Sequence, residues 1–357
     1  MKKTTTKDWE IKTLGEVLKL EYGKPLPQSD RKTNGLYCAY GANGEKARTD
    51  KFYYDKPSII VGRKGSAGEL TLVKDNFWPL DVTYFITFDE KSFDLKYLYL
   101  LLKSCDLPRL ATGVKPGINR NEVYKLKKSV PPLPEQKRIV KVLDEKFGVI
   151  EELQNITKKQ IADVKELFES RLGEVYSSPD YNFGNLGDSV NIKTGKLNSN
   201  AAVVGGDYPF FTCSRQASQI DSYSFDCDAV LLAGNNASAD FNVKHFKGKF
   251  DAYQRTYVIT VLNNAELDIR LVYNLLLHGL AKFKESAVGA GTKFLKIGMI
   301  QDFQLPLFTL KEQKQIVKEL DQLSAKTKEL ETIFHQKIAD LEELKKSYLA
   351  DAFAGKL

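Results

Sequence analysis

The chain lacks the residues from which small stapled or metal-bound proteins are built. Its four cysteines, Cys38, Cys105, Cys213 and Cys227, are widely scattered and form no CxxC. The three histidines, His245, His278 and His335, do not cluster with them. A disulfide frame and a zinc site are therefore disfavoured, and buried free thiols of a cytosolic protein are expected. No apolar run approaches the roughly 20 residues that span a bilayer. The opening MKKTTTKDWEIK has charge but no apolar stretch behind it, which does not fit a signal peptide. Catalytic signatures are missing too. There is no GxxxxGK[ST], no GxSxG and no HExxH, and GAGTK at Gly289 is only a fragment of a phosphate loop. GRKGSAG at Gly62 lacks dinucleotide-loop spacing, so a turn is favoured over a phosphate loop. The proline pair in SVPPLPE lacks the polar residue and following aromatic that amino-methyltransferases place there. A binding protein is expected rather than an enzyme.

What is present is length, charge and repetition. A chain of 357 residues exceeds the usual span of one core, so more than one domain is expected. Net charge is +7 and unevenly spread. Residues 1–130 carry 24 Lys+Arg against 16 Asp+Glu; 131–179 carry 8 against 9; 180–305 and 306–357 balance at 12 against 12 and 9 against 9. A basic first segment invites a nucleic-acid partner, whereas the third segment would have to bind DNA with a local patch.

Residues 135–172 align without a gap to residues 312–349, and EQK, IVK, LD, EL and IAD coincide. The preceding segments match more loosely. LGEV at Leu14 echoes LGDSV at Leu186, Tyr22-Gly23-Lys24 echoes Thr194-Gly195-Lys196, and TYFIT at Thr83 echoes TYVIT at Thr256. A whole module is thus duplicated, on a period far too long for a solenoid unit. Four segments are expected: module 1–130, helix 131–179, module 180–305 and helix 306–357.

Both helices are expected to be long. Ile316, Leu320, Leu323, Thr327, Leu330, Phe334, Ile338, Leu341, Leu344 and Tyr348 follow one another by threes and fours. Ile139, Leu143, Ile150, Leu153, Ile161, Val164, Leu167 and Leu172 lie on the equivalent face of the first. Pro134 suits a first helical turn, and Thr309 with Glu312 forms a capping box. A helix of about 35 residues is roughly 50 Å long. Pairing the two stripes in an antiparallel coiled coil buries both; separate packing on each module is the alternative. The modules read as α+β, with strands at SIIVG, VTYFITF, AVLLAG and RTYVITV and one helical run each, Leu95–Ser104 and Leu267–Leu280.

Polar loops on a rigid frame are where binding residues tend to sit. Arg and Lys suit phosphate and guanine, whereas Asn and Gln suit adenine. In the first module the candidates are Arg63, Lys64, Lys115, Asn119 and Arg120. In the second they are Arg215, Gln216, Asn235, Asn236, Arg255 and Lys293. Each of these loops also reads as a plain solvated turn; the set, repeated on a two-fold frame, favours binding.

The motifs resemble one family along the whole chain: the DNA-specificity subunits of type I restriction–modification systems. The resemblance rests on PPLPEQKRIV leading into a long helix, on LFESRL at Leu167–Leu172, on the closing SYLADAFAGKL, and on GRKGSAG and TYFIT. The second helix start reads PLFTLKEQ in place of the fuller proline pattern. The resemblance implies two target-recognition domains held by antiparallel helices, each reading half of a split DNA site. It implies no catalysis and no cofactor in this chain. Two modification subunits would bring S-adenosylmethionine, and two restriction subunits would bring ATP-driven translocation and cleavage. One B-DNA turn is about 34 Å, so a stiff helix pair has the length to set the unread spacer. Two other readings stand beside this one. One is a specificity component of a methylating nuclease with a fused catalytic chain. The other is a coiled-coil scaffold whose twin domains bind protein or small ligands.

Overall fold

The computed structural model describes residues 8–177 and 181–357. The expected boundary between residues 179 and 180 and the first seven residues of the chain lie outside these. The chain forms two compact units, Met1–Thr157 with Gln336–Leu357, and Lys158–His335. Each long helix contributes to both.

In the first unit the β-branched run Ser58–Gly62 is buried along its whole length. It lies between Leu70–Val73 and Thr83–Thr87 in an antiparallel sheet that Lys19–Tyr22 completes. A second sheet joins Gly44–Thr49, Tyr37–Gly41 and Phe77–Pro79. Tyr37–Gly41 and Gly44–Thr49 pair as a hairpin across a two-residue turn. Asp94 caps the helix Leu95–Lys103 by accepting from the Tyr97 N–H at 2.9 Å. That helix buries Leu98, Leu101 and Leu102 against the sheet core. The strand Glu10–Thr13 pairs with Lys127–Val130, and the chain leaves this pair into the first long helix, Leu133–Ser177.

The helix start is tied to its module through Gln136. Its buried amide donates to the carbonyls of Ser92 and Pro131 at 3.1 and 2.9 Å, and its oxygen accepts from the Asp94 N–H at 3.0 Å. Ile139 and Leu143 enter the module core, which also receives Ala352 from the end of the second long helix. Phe353 packs on Tyr97 with ring centroids 5.5 Å apart. Gln154 donates to Glu342 at 2.6 Å, and Lys146 lies 4.1 Å from the Tyr348 ring. Partner numbers fall along one helix as they rise along the other, so the two run antiparallel in this unit.

The second unit repeats the plan with a larger sheet. Its strand order is Val190–Thr194, Thr256–Val261, Phe225–Ala233, Val243–Ala252, Tyr208–Phe211 and Ser218–Ile220. All neighbours are antiparallel except Tyr208–Phe211 beside Val243–Ala252. Asp268 caps the helix Ile269–His278. Gln313 does here what Gln136 does in the first unit. It donates to Glu266 and Phe308 at 2.8 and 2.9 Å and accepts from the Asp268 N–H at 2.8 Å. The second long helix, Leu310–Phe353, buries Val317 and Leu320 in this core beside Leu172, Val175 and Tyr176 from the end of the first. Arg171 pairs with Glu319 at 3.0 Å.

The helices are longer than the repeated stripe suggests, at 45 and 44 residues. Their final turns continue into the module cores, so the helical stretch outlasts the aligned segment. The seam also differs in detail. Leu153, Leu167, Leu330 and Leu344 are exposed, while Gln154, Thr157 and Thr327 are buried. The buried stripe runs through Ile150, Gln154 and Thr157, and Leu153 stands one residue, about 100°, off it. The four cysteines are free thiols but half-buried rather than buried.

Candidate nucleic-acid interface

The central buried strand of the first module ends in Gly62 and that of the second is followed by Gly234, and a polar loop comes next in each. A Cβ on Gly62 would lie 2.0 Å from the Ser66 carbonyl oxygen, so the turn closes only around glycine. The loop is zipped to a second segment. The Gly65 N–H donates to the Pro116 carbonyl at 2.9 Å, and the Ile118 N–H donates to the Arg63 carbonyl at 3.0 Å. Thr112 and Gly117 exchange backbone hydrogen bonds at 3.0 Å each, which makes a tight hairpin carrying Lys115. The buried Tyr84 of TYFIT donates its hydroxyl to the Ile118 carbonyl at 3.2 Å. Burial, followed by the neighbouring Tyr22 hydroxyl, pushes the Tyr84 phenol above its ordinary value, keeping it a donor.

This arrangement brings Arg63, Lys64, Lys115, Asn119 and Arg120 into one loop cluster. Lys64 and Lys115 are exposed. Arg63 donates through Nε to the Asp81 carbonyl at 3.2 Å and sits 5.4 Å from the Tyr22 ring. Arg120 donates to the Leu20 carbonyl at 3.2 Å and sits 4.8 Å from the same ring. Arg120 lies in the first turn of the short helix Arg120–Tyr124 rather than in a loop. Asn119 caps that helix by accepting from the Asn121 N–H at 3.0 Å, so part of its polarity serves the fold.

The second module uses the same joints. Gly234 closes the strand Phe225–Ala233, and its carbonyl accepts from the Leu295 N–H at 2.9 Å. Asn235 and Asn236 pair with Phe294 and Lys293. Val288 and Phe294 exchange hydrogen bonds at 3.2 and 2.9 Å to form the matching hairpin. Tyr257 of TYVIT donates to the Leu295 carbonyl at 2.7 Å, the counterpart of Tyr84. Arg255 is exposed, and its carbonyl accepts from the Gly234 N–H at 2.8 Å. Asn235, Asn236, Arg255 and Lys293 thus share one strip.

Asn236 is partly committed: its side-chain oxygen accepts from the Ser238 N–H at 2.8 Å and hydroxyl at 2.9 Å. Arg215 donates to both carboxylate oxygens of Asp240, at 2.8 and 2.7 Å, which neutralises its charge. Gln216 is exposed in the adjoining turn. That turn is held by Lys244, which donates to the Ser214 carbonyl at 2.6 Å; burial holds its ammonium below its ordinary value. Sequence reasoning missed Tyr22, the two anchoring tyrosines and Asp240. The tyrosines were visible as the shared residue of TYFIT and TYVIT. Among the described residues, no cluster of three or more His, Cys, Asp or Glu side chains could hold a metal ion.

Two loop clusters of arginine, lysine and amide side chains, each held by the same zipper and tyrosine anchor, suit contact with a polyanion that offers base edges. The profile of the family described as "Type I restriction modification DNA specificity domain" matches residues 6–164 and again residues 179–343. The chain belongs to this family. It carries two copies of the type I DNA-specificity domain, one on each long helix. The type I restriction enzyme EcoDI specificity subunit of Escherichia coli is 37% identical over 178 residues, which is 50% of this chain and 39% of that protein. The match therefore spans well under half of that relative's length.

Two solved structures share the fold over nearly the full chain. One comes from a study of complex assembly and conformational transition of the type I system. It has a TM-score of 0.77 at 18% identity, covering 98% of this chain and 99% of that one. The other, the HsdS subunit from Thermoanaerobacter tengcongensis, has a TM-score of 0.58 at 19% identity, covering 98% of each. Identities this low speak to architecture alone. No described helix is long and apolar enough to cross a membrane.

Proposed function

We propose that this chain is the cytosolic DNA-recognition subunit of a type I restriction–modification complex, reading a split duplex target. Residues 1–130 and 180–305 are the two reading modules. Residues 131–179 and 306–357 are the arms that set the unread spacer. The observation that carries this reading is a loop-and-hairpin site built twice on identical joints with different tips. Such a pair suits two half-sites of unlike sequence. The site residues act as base or phosphate contacts: Arg63, Lys64, Lys115, Asn119 and Arg120 in one half, Arg215, Gln216, Asn235, Asn236, Arg255 and Lys293 in the other.

The chemistry belongs to partners. Two modification subunits supply S-adenosylmethionine, and two restriction subunits supply ATP and magnesium chemistry. A partner bound twice needs the same surface twice, and the arms offer one. Leu153 and Ile156 are exposed on the first helix, and their repeat counterparts Leu330 and Ile333 are exposed on the second. Exposed apolar side chains at matched positions suit two copies of one modification subunit.

The test is coexpression with the modification subunit, followed by mapping of methyladenine across the host genome. A motif of two short unlike halves with a fixed unread gap is the expected result. An undivided motif, or none, sinks the reading.

A further inference from the structure

We propose that Arg63, Tyr22 and Arg120 form a clamp for one backbone phosphate of the DNA half-site held by the first module; this rests on the reading of the chain as a DNA-recognition subunit. Both guanidinium groups stack on one aromatic ring, at 5.4 and 4.8 Å from its centroid. Tyr22 is 48% exposed, so the platform faces solvent rather than the core. Both arginines are oriented by backbone carbonyls, Asp81 for Arg63 and Leu20 for Arg120. A carbonyl fixes direction but supplies no negative charge. Among the described residues, neither guanidinium forms an ion pair, unlike Arg215, which Asp240 neutralises. Two oriented, uncompensated positive charges over one ring make an anion site.

The hydrogen bonding favours phosphate over a base edge. Arg63 spends both Nε and Nη2 on the Asp81 carbonyl. The fork needed for bidentate reading of guanine is therefore occupied, and Nη1 remains. A phosphate oxygen accepts a single donor from many directions, and the Arg120 guanidinium supplies others.

The clamp belongs to one module only. Tyr22 pairs with Tyr84 as Thr194 pairs with Tyr257. Arg63 and Gly234 hold the same register, since the Arg63 N–H donates to the Val82 carbonyl at 2.9 Å and the Gly234 N–H to the Arg255 carbonyl at 2.8 Å, and Arg120 and Ile297 each open the short helix after the hairpin. The second module thus has Thr194, Gly234 and Ile297 where the first has Tyr22, Arg63 and Arg120. None of the three is a cation.

The experiment uses the complex of this chain with its modification subunit. Affinity is measured against salt on a duplex carrying the mapped motif and on one lacking it. Each phosphate neutralised contributes about 0.9 to the slope of log affinity against log salt. The double variant Arg63→Gln with Arg120→Gln is expected to flatten the slope by about one such contact and to weaken both duplexes alike. The methylated motif stays the same. Tyr22→Leu, which removes the platform, is expected to flatten it partly. Thr194→Leu, at the exposed second-module position matched to Tyr22, is expected to leave the slope unchanged, and unchanged melting temperatures exclude unfolding as the cause. An unaltered slope in the double variant, a drop of two contacts, or relaxed choice at one base position overturns the clamp. If the unmodified complex does not prefer the motif-bearing duplex, the recognition reading fails instead.

Discussion

Gln136 and Gln313 hold matched places in the two repeats and make the same three hydrogen bonds, while Arg63 and Gly234, matched equally well, have nothing in common beyond the backbone. The frame is copied down to single amide groups; the tips are not. The copied contacts hold the frame together: Lys96 with Asp144 and Arg270 with Asp321 are half-exposed ties from module to arm, Asp94 and Asp268 are caps, Tyr84 and Tyr257 are loop anchors, and Gln136 and Gln313 are buried. A buried polar group without its partner is costly, so such positions tolerate little change. A solvent-facing loop tip carries no such penalty. Divergence collects there, where the proposed reading puts the DNA contacts.

The largest way to break this comparison is to exchange one module whole. Replacing residues 1–130 with the matching module of another specificity subunit is expected to change one half of the methylated motif completely and leave the other half untouched. Methyladenine mapping reads the result, and a change in both halves refutes modular reading. The next largest concerns the matched apolar positions on the arms. Leu153→Asp or Leu330→Asp puts a charge into the proposed docking face, and each is expected to weaken one modification subunit more than tenfold. Native mass spectrometry should show one subunit lost from each single variant and two from the double. Loss of both from a single variant would mean that the two faces are not independent.

A smaller effect tests the frame itself. Gln136→Leu and Gln313→Leu each remove three hydrogen bonds and leave buried carbonyls and an N–H unpaired. The expected cost is on the order of 3 kcal/mol in the affected unit and about the same in each. Thermal unfolding followed by unit-specific hydrogen exchange measures it. Unequal losses would show that the shared geometry hides different energetics.

The frame was legible because its signals are long or repeated. A gapless match between residues 135–172 and 312–349 marked both arms, and TYFIT with TYVIT marked equivalent strands. The repeated EQK stood out as well, although only the structure shows that its glutamine clamps arm to module. The seam was read less well, since a period of threes and fours does not say which of two neighbours faces inward; Gln154 is buried where Leu153 looked the better candidate. The geometry of the proposed site was half legible. Loop chemistry picked out Arg63 and Arg120, but Tyr22 between them comes from a strand distant in sequence. Asn119, Asn236 and Arg215 show the opposite problem. Their side chains turn out to bind the protein's own backbone or carboxylate, and composition cannot distinguish such uses from DNA contact.

The smallest difference lies where the two arms begin. The first starts at Leu133-Pro134, where proline costs no hydrogen bond. The second starts with a capping box. The Glu312 carboxylate accepts from the Thr309 hydroxyl at 2.7 Å and the Thr309 N–H at 2.8 Å. Those two bonds hold the Glu312 carboxyl below its ordinary value of 4.5. A carboxyl depressed by folding stabilises the folded state above its unfolded value, and that contribution is lost as pH falls through the depressed folded value. Thr309→Ala should therefore lower the stability of the second unit at neutral pH, and the gap from the unmodified protein should close as pH drops below 4.5. The same pH series on Pro134→Ala should show no such closing, because no titrating group depends on that proline. Thermal melts across the series read both. A Thr309→Ala gap that persists unchanged in acid would mean that the hydroxyl acts as a plain cap, without help from the Glu312 charge.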